Sequence, residues 1–258
     1  MKEGYKCALG LMLVLTLIGG LACCDGGGGG GGDNSNPVQT VVGSGNIVQE
    51  TRSVTGAPGV NMGSVANLTI EQGAPEELIL QTDDNLLALI LTDVQGGILV
   101  IRNAPGFDLQ PSQTMEANLT LITIDSITLS GVGSITVPDL TTTQLELTLS
   151  GVGDIEIVNL DALTSDVLIS GIGDISVVGG QVDDQLITLT IGALGDYNAE
   201  NLSSATVDVK IAGSGSATVR VSTTLNANIT GSGSVFYHGS PDVTRTGNGS
   251  GNVVPLSQ

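Results

Sequence analysis

Three carboxylates recur at one place in a repeated motif, and their type and spacing could support chemistry. Asp154 closes Ser150-Gly151-Val152-Gly153, Asp174 closes Ser170-Gly171-Ile172-Gly173, and Asp196 closes Gly192-Ala193-Leu194-Gly195. If these stretches stack, the three side chains form a column with one strand spacing, about 4.8 Å, between members. Oxygen donors in such a column are the ligand type that Ca²⁺ takes. Other copies of the motif place Ser134, Ser216 and Ser234 at the same position, and a cation needs several converging oxygens. The expectation is therefore that Asp154, Asp174 and Asp196 are solvated corner residues whose side chains bond nearby backbone N–H groups. No metal and no cofactor is expected. His238 is the one histidine; without a partner it makes no zinc site, and no Ser-His-Asp arrangement is evident.

The second kind of chemistry is covalent. All three cysteines, Cys7, Cys23 and Cys24, lie in the first 24 residues, so residues 37–258 hold no disulfide, thiolate metal site or cysteine nucleophile. Lys2 and Lys6 precede an apolar run from Cys7 to Leu21, which ends in small residues. That is the pattern of a secretory signal, and the run is short for a membrane span of about 20 residues. Leu21-Ala22-Cys23 resembles the bacterial lipobox, which implies acylation of Cys23, with Cys24 as the alternative. Gly26 to Gly32 is unbroken glycine, a flexible tether. It has no Lys-Ser/Thr after it, as a phosphate loop would. The organisation expected is a signal peptide at 1–22, a lipidated cysteine and tether at 23–36, and one domain at 37–258.

What must position the corner residues is the repeat itself. The second residue of each motif copy falls at 131, 151, 171, 193, 213, 231 and 249, in steps of 20, 20, 22, 20, 18 and 18. A fixed period in this range marks a stacked-repeat fold. The arms between corners alternate, as in Ile135-Thr136-Val137 and Leu145-Glu146-Leu147-Thr148-Leu149, with aliphatics on one face. No proline occurs from Asp139 to Ser240, as strands paired on both sides require. The fold expected is all-β: a right-handed parallel β-helix, or β-solenoid, of about 20 residues per coil. An antiparallel sandwich is the alternative. The turn glycines would be Gly131, Gly133, Gly151, Gly153, Gly171, Gly173, Gly195, Gly213, Gly215, Gly231 and Gly233, where close approach of successive backbones requires glycine. Before the regular repeats, Gly43-Ser44-Gly45-Asn46-Ile47 shows the same Gly-x-Gly signature, Asp84–Thr92 is ambiguous between helix and strand, and Asn103–Gln113 reads as a loop. The irregular segment 46–116 and the tail 253–258 are the expected caps.

Composition narrows the function. The chain has 38 Gly, no Trp, 3 Tyr and 2 Phe, so the core must be narrow layers of Val, Ile and Leu. The formal net charge is −19, and the basic residues after the leader are Arg52, Arg102, Lys210, Arg220 and Arg245. Nucleic acid is excluded as a partner, because its affinity comes mainly from Lys and Arg on phosphates. The acidic excess instead serves solubility.

These stretches together resemble the head GIN domain family, an auto-transporter adhesin domain also catalogued as a domain of unknown function. The resemblance rests on Gly43-Ser44-Gly45-Asn46-Ile47, on Val65 to Gly73 with Asp83-Asp84-Asn85-Leu86-Leu87, and on the repeated Ser-Gly-x-Gly-Asp-Ile closing with Tyr237-His238-Gly239-Ser240-Pro241. It covers roughly 40–253. It implies a secreted or lipid-anchored β-helical protein with no catalytic residues to carry over. The function expected is a non-enzymatic, lipid-anchored module of the bacterial cell envelope, in the outer membrane and facing the periplasm or the surface. Its partners would be the membrane, a cell-surface or glycan ligand, and a second copy if a solenoid end is uncovered. A polysaccharide-binding or polysaccharide-degrading β-helix is the alternative. Glycoside hydrolysis needs paired carboxylates, and four aromatics after the leader leave little for a sugar-stacking cleft.

Overall fold

The computed structural model describes residues 38–189 and 194–257, with 185–189 as backbone. They belong to one compact unit, Pro37–Gln258. The leader, Cys23, Cys24 and the glycine tether lie outside the described residues, as do Gly192 and Ala193 of one corner.

The repeat steps become strand registers. After β1 (Gln39–Val42), β2 (Ile47–Ser53), β3 (Gly59–Met62), β4 (Val65–Gln72), β5 (Glu77–Asp83), β6 (Ile90–Gln95), β7 (Ile98–Asn103), β8 (Phe107–Gln110) and β9 (Met115–Leu121), the chain begins to wind. The winding strands are β10 (Ser126–Leu129), β11 (Val132–Leu149), β12 (Val152–Ile169), β13 (Ile175–Leu189), β14 (Tyr197–Ile211), β15 (Ala217–Ile229), β16 (Val235–His238), β17 (Asp242–Thr246) and β18 (Val253–Pro255). Each pairs in parallel with the next coil. Ile135 faces Ile155, Ile155 faces Ile175, Ile175 faces Tyr197, Tyr197 faces Ala217, and Ala217 faces Val235. The result is a parallel β-solenoid of about six turns with roughly 20 residues per coil.

Burial follows the alternation. In β11, Ile135, Val137, Leu140, Leu145, Leu147 and Leu149 are fully buried, while Thr136, Glu146 and Thr148 face outward. The alternation slips at Pro138-Asp139 and again at Thr143-Gln144, where two successive residues point away from the core. With the glycine corner, these slips divide each coil into three straight runs. One coil cannot bury its inner face alone; its neighbours above and below do so. Among the described residues, Tyr197 is the one aromatic in the group of largest fully buried side chains. Burial pushes its phenol above the usual tyrosine range. Its register partner on the next coil is Ala217, a large-small pairing that keeps the layer filled.

The N-terminal end is closed by a different construction. β5 pairs antiparallel with β2 and β9, β9 joins β4, and β4 carries the first long winding strand, β11. β6 and β7 form an antiparallel hairpin turned at Gly96 and Gly97, both at positive φ. Arg52 ties this cap together, donating to the carbonyls of Ile90 and Leu87. The ambiguous stretch Asp84–Thr92 resolves into turns, one 3-10 turn at Leu87–Leu89 and the start of β6. The expected loop 103–113 contains a strand, β8, because pairing with β1 gives its backbone a partner. At the other end, Arg245 donates to the carbonyls of Gly249 and Gly251, and β18 ends in Pro255. Both features blunt strand addition.

Candidate functional site

The corner that carries the repeated motif is a straight edge built from columns of like residues. Gly133 is in register with Gly153. A Cβ on Gly153 would collide with the Gly133 carbonyl oxygen, one on Gly173 with that of Gly153, and one on Gly195 with that of Gly173. The series continues through Gly215, Gly233 and Gly251. A second column runs through Gly131, Gly151 and Gly171, and resumes as Gly213, Gly231 and Gly249. The corners stack this tightly because Val132 N–H bonds Ser64 O, Val152 N–H bonds Gly131 O, and Ile172 N–H bonds Gly151 O. Gly43 and Gly45 do not join these columns; their loop is held elsewhere, as described below.

Asp154, Asp174 and Asp196 do share one column, and each carboxylate accepts a backbone N–H from the following coil. Asp174 N–H donates to Asp154 Oδ1 at 2.9 Å, Asp196 N–H to Asp174 Oδ1 at 2.7 Å, and Ser216 N–H to Asp196 Oδ1 at 2.6 Å. Serine then takes over the role: Ser216 Oγ accepts from Ser234 N–H, and Ser234 Oγ from Asn252 N–H. The bonded N–H groups belong to the next coil, whereas the sequence suggested nearby ones, because stacking puts residue i+20 closer than the local turn. Among the described residues, no group of three His, Cys, Asp or Glu side chains is arranged to hold a metal ion. Asp174→Ala is expected to cost about 0.5–1.5 kcal/mol, the net worth of one exposed hydrogen bond, read as a small drop in unfolding midpoint.

Between the two glycine columns stands a third column of exposed aliphatic residues, Val132, Val152, Ile172 and Leu194. In the sequence this column is an apolar residue at x in three Gly-x-Gly motifs and in Ala193-Leu194-Gly195, a pattern that does not say whether the side chain faces the core or water.

Two other places gather polar groups. In the cap, Asp83 is fully buried. It accepts from Ser112 Oγ at 2.7 Å, Ser112 N–H at 2.9 Å and Gly45 N–H at 2.7 Å. The Ser112 hydroxyl bond, followed by these N–H bonds, holds the Asp83 carboxyl below the usual carboxylate range. Asp84 accepts from Ser44 Oγ and Asn46 Nδ2, which lower its pKa in turn, and Asn85 bonds both Ser44 N–H and Val42 O. On the flank, a groove of about 460 Å³ is lined by Asp183, Ser203, Arg220, Ser222 and Ser240, among others. Arg220 Nε donates to Glu200 O there, where the β14–β15 register shifts. His238 pairs in register with Arg220.

The family described as "Putative auto-transporter adhesin, head GIN domain" matches residues 59–241. The chain belongs to the head GIN domain family. Three solved structures share the fold. A "putative adhesin" from Bacteroides fragilis has a TM-score of 0.79 at 24% identity, covering 84% of this chain and 100% of that one. A "putative lipid binding protein" from Parabacteroides distasonis has 0.69 at 21%, covering 85% and 100%. A "putative adhesin" from Parabacteroides merdae has 0.67 at 18%, covering 85% and 100%. No curated protein matches the sequence. The head GIN match takes in the glycine edge from β3 to β16, together with Asp83 to Asn85. The Gly43–Asn46 half of the cap contact precedes it.

Proposed function

We propose that this head GIN protein is a non-enzymatic module of the bacterial cell envelope, anchored through acylated Cys23 and presenting its solenoid for adhesion. The observation that carries the proposal is membership in an adhesin-described family combined with a lipobox-like Leu21-Ala22-Cys23 followed by a glycine tether. Several acyl chains on one cysteine would hold the protein stably where one chain would not. The glycine run would keep the folded unit clear of the bilayer. The ligand class is a cell-surface component or glycan, met through ladders of Thr, Ser, Asn and Asp on the outer faces.

Two measurements test the two halves. Metabolic palmitate labelling of the full chain is expected to disappear in Cys23→Ala and to persist in Cys24→Ala; the reverse pattern moves the anchor to Cys24, and labelling of neither form removes it. Residues 37–258 are expected to bind on a glycan array or to whole cells while releasing no oligosaccharide from pectin, alginate or xylan. Reproducible turnover would replace adhesion with catalysis.

A further inference from the structure

The aliphatic column at the glycine corner is continuous. Val132 is in register with Val65 and with Val152, Val152 bridges to Ile172, and Ile172 to Leu194. Their exposures are 38% for Val65, 47% for Val132 and Val152, 49% for Ile172 and 63% for Leu194. Five side chains at about 4.8 Å per rung make a ridge about 19 Å long. Its area is on the order of 400 Å², a size at which patches on soluble proteins are commonly functional. Beyond Leu194 the same position holds Ser214, Ser232 and Ser250, so the ridge has a defined end. Its flanks are chemically unlike. Exposed Ser130, Ser150 and Ser170 run along one side, and exposed Asp154, Asp174 and Asp196 along the other.

We propose that this ridge is a self-association face on which a second copy of the chain docks side by side, about a twofold axis parallel to the solenoid axis. Two features select a second copy. The ridge is periodic, and a partner with the same rung spacing can match it over its whole length; another copy has that spacing by construction. Beside Val132, Val152 and Ile172 both flanking positions are glycine and carry no side chain, so along these rungs each copy's aliphatic ridge can lie in the other's bare furrow. Charge then selects the axis. A twofold along the solenoid sets each Asp column against the partner's Ser column, where hydroxyls can donate to carboxylates. A twofold across the solenoid would set Asp against Asp in a chain already at −19. With its flanks, the ridge offers about 600–800 Å² per copy, the low end for specific association. The dimer is therefore weak, and it tightens with salt, which screens repulsion between like-charged copies. This inference is independent of the anchor and of any adhesion ligand.

Sedimentation equilibrium of residues 37–258, which form one compact unit with its own core, tests it. The wild type is expected to dimerise, more tightly at high salt. Val152→Ser with Ile172→Ser, residues that later corners already carry at this position, should weaken Kd by about tenfold or more with an unchanged circular dichroism spectrum. If that pair fails to fold, Val132→Ser with Leu194→Ser gives the same measurement. Oxidative cross-linking fixes the axis. Ser150→Cys mixed with Asp154→Cys is expected to cross-link, and Asp154→Cys by itself is not. A wild type that stays monomeric at its solubility limit, a dimer indifferent to the serine pair, or efficient cross-linking of Asp154→Cys alone would each overturn the proposal.

Discussion

Gly153→Val is expected to abolish the cooperative unfolding transition seen for the wild type. Gly153 sits at φ +132°, a torsion that costs a β-branched residue about 1–3 kcal/mol by itself. The larger cost is contact. Its Cβ would collide with the Gly133 carbonyl oxygen, which is backbone and has no rotamer by which to move aside. Relief requires the coil to lift off its neighbour, and the same glycine donates its N–H to Ile172 O on the other side. Each coil is stabilised by its two neighbours, so separation at one rung exposes Ile135, Ile155 and Ile175 together. The loss is of the order of a domain's whole stability, about 5–15 kcal/mol. Gly153→Ala should be nearly as damaging, because the colliding atom is Cβ. Val152→Ser, one residue away, should stay within about 0.5 kcal/mol of wild type. Thermal unfolding followed by circular dichroism separates the three, and a wild-type midpoint for Gly153→Val would refute the role given to the corner glycines.

Asp83→Ala is expected to unfasten the N-terminal cap while leaving the later coils folded. Its removal takes the acceptor from the Ser112 hydroxyl, the Ser112 N–H and the Gly45 N–H together. Ser112 and Gly45 are themselves exposed, so water recovers part of the loss, and what remains is the net worth of three charge-assisted hydrogen bonds removed together. Hydrogen exchange should show loss of protection in β1, β2 and β5 ahead of β11 to β15. Unchanged protection in β2 and β5 would remove Asp83 from this role. Asp83→Asn keeps the shape but turns an NH₂ toward donors, so it should fail in the same place. The pH dependence has a fixed sign. The folded-state pKa of Asp83 is depressed, so its contribution is complete above the unfolded value near 3.9. It is lost as pH falls through the lower folded-state value. The difference in stability between wild type and Asp83→Asn should therefore shrink below about pH 4.

Much of the regular solenoid was legible because its repeat step is also its hydrogen-bond register. Once Ile135, Ile155 and Ile175 are seen at intervals of 20 residues, parallel stacking follows from period-2 burial and from glycine corners that can approach one another. The cap was less legible. Gly43-Ser44-Gly45-Asn46 looks like another corner copy, yet its partners are Asp83, Asp84 and Asn85, about 40 positions away. No local period links the two segments; only the antiparallel pairing of β2 with β5 brings them together. The strand at Phe107–Gln110 was hidden for the same reason, since its partner, Gln39–Val42, lies at the far end of the cap.

The division has one physical cause. By itself the sequence determined the all-β coil, its length, the inward aliphatics and the alignment of Asp154, Asp174 and Asp196, because each depends on contacts between residues one repeat apart. The tertiary structure alone decided that those carboxylates accept N–H groups from the next coil, that Asp83 locks the cap, and that Val132, Val152, Ile172 and Leu194 stand exposed as one ridge. Those outcomes depend on which atoms face each other or face water across a finished stack, and a linear pattern does not specify that.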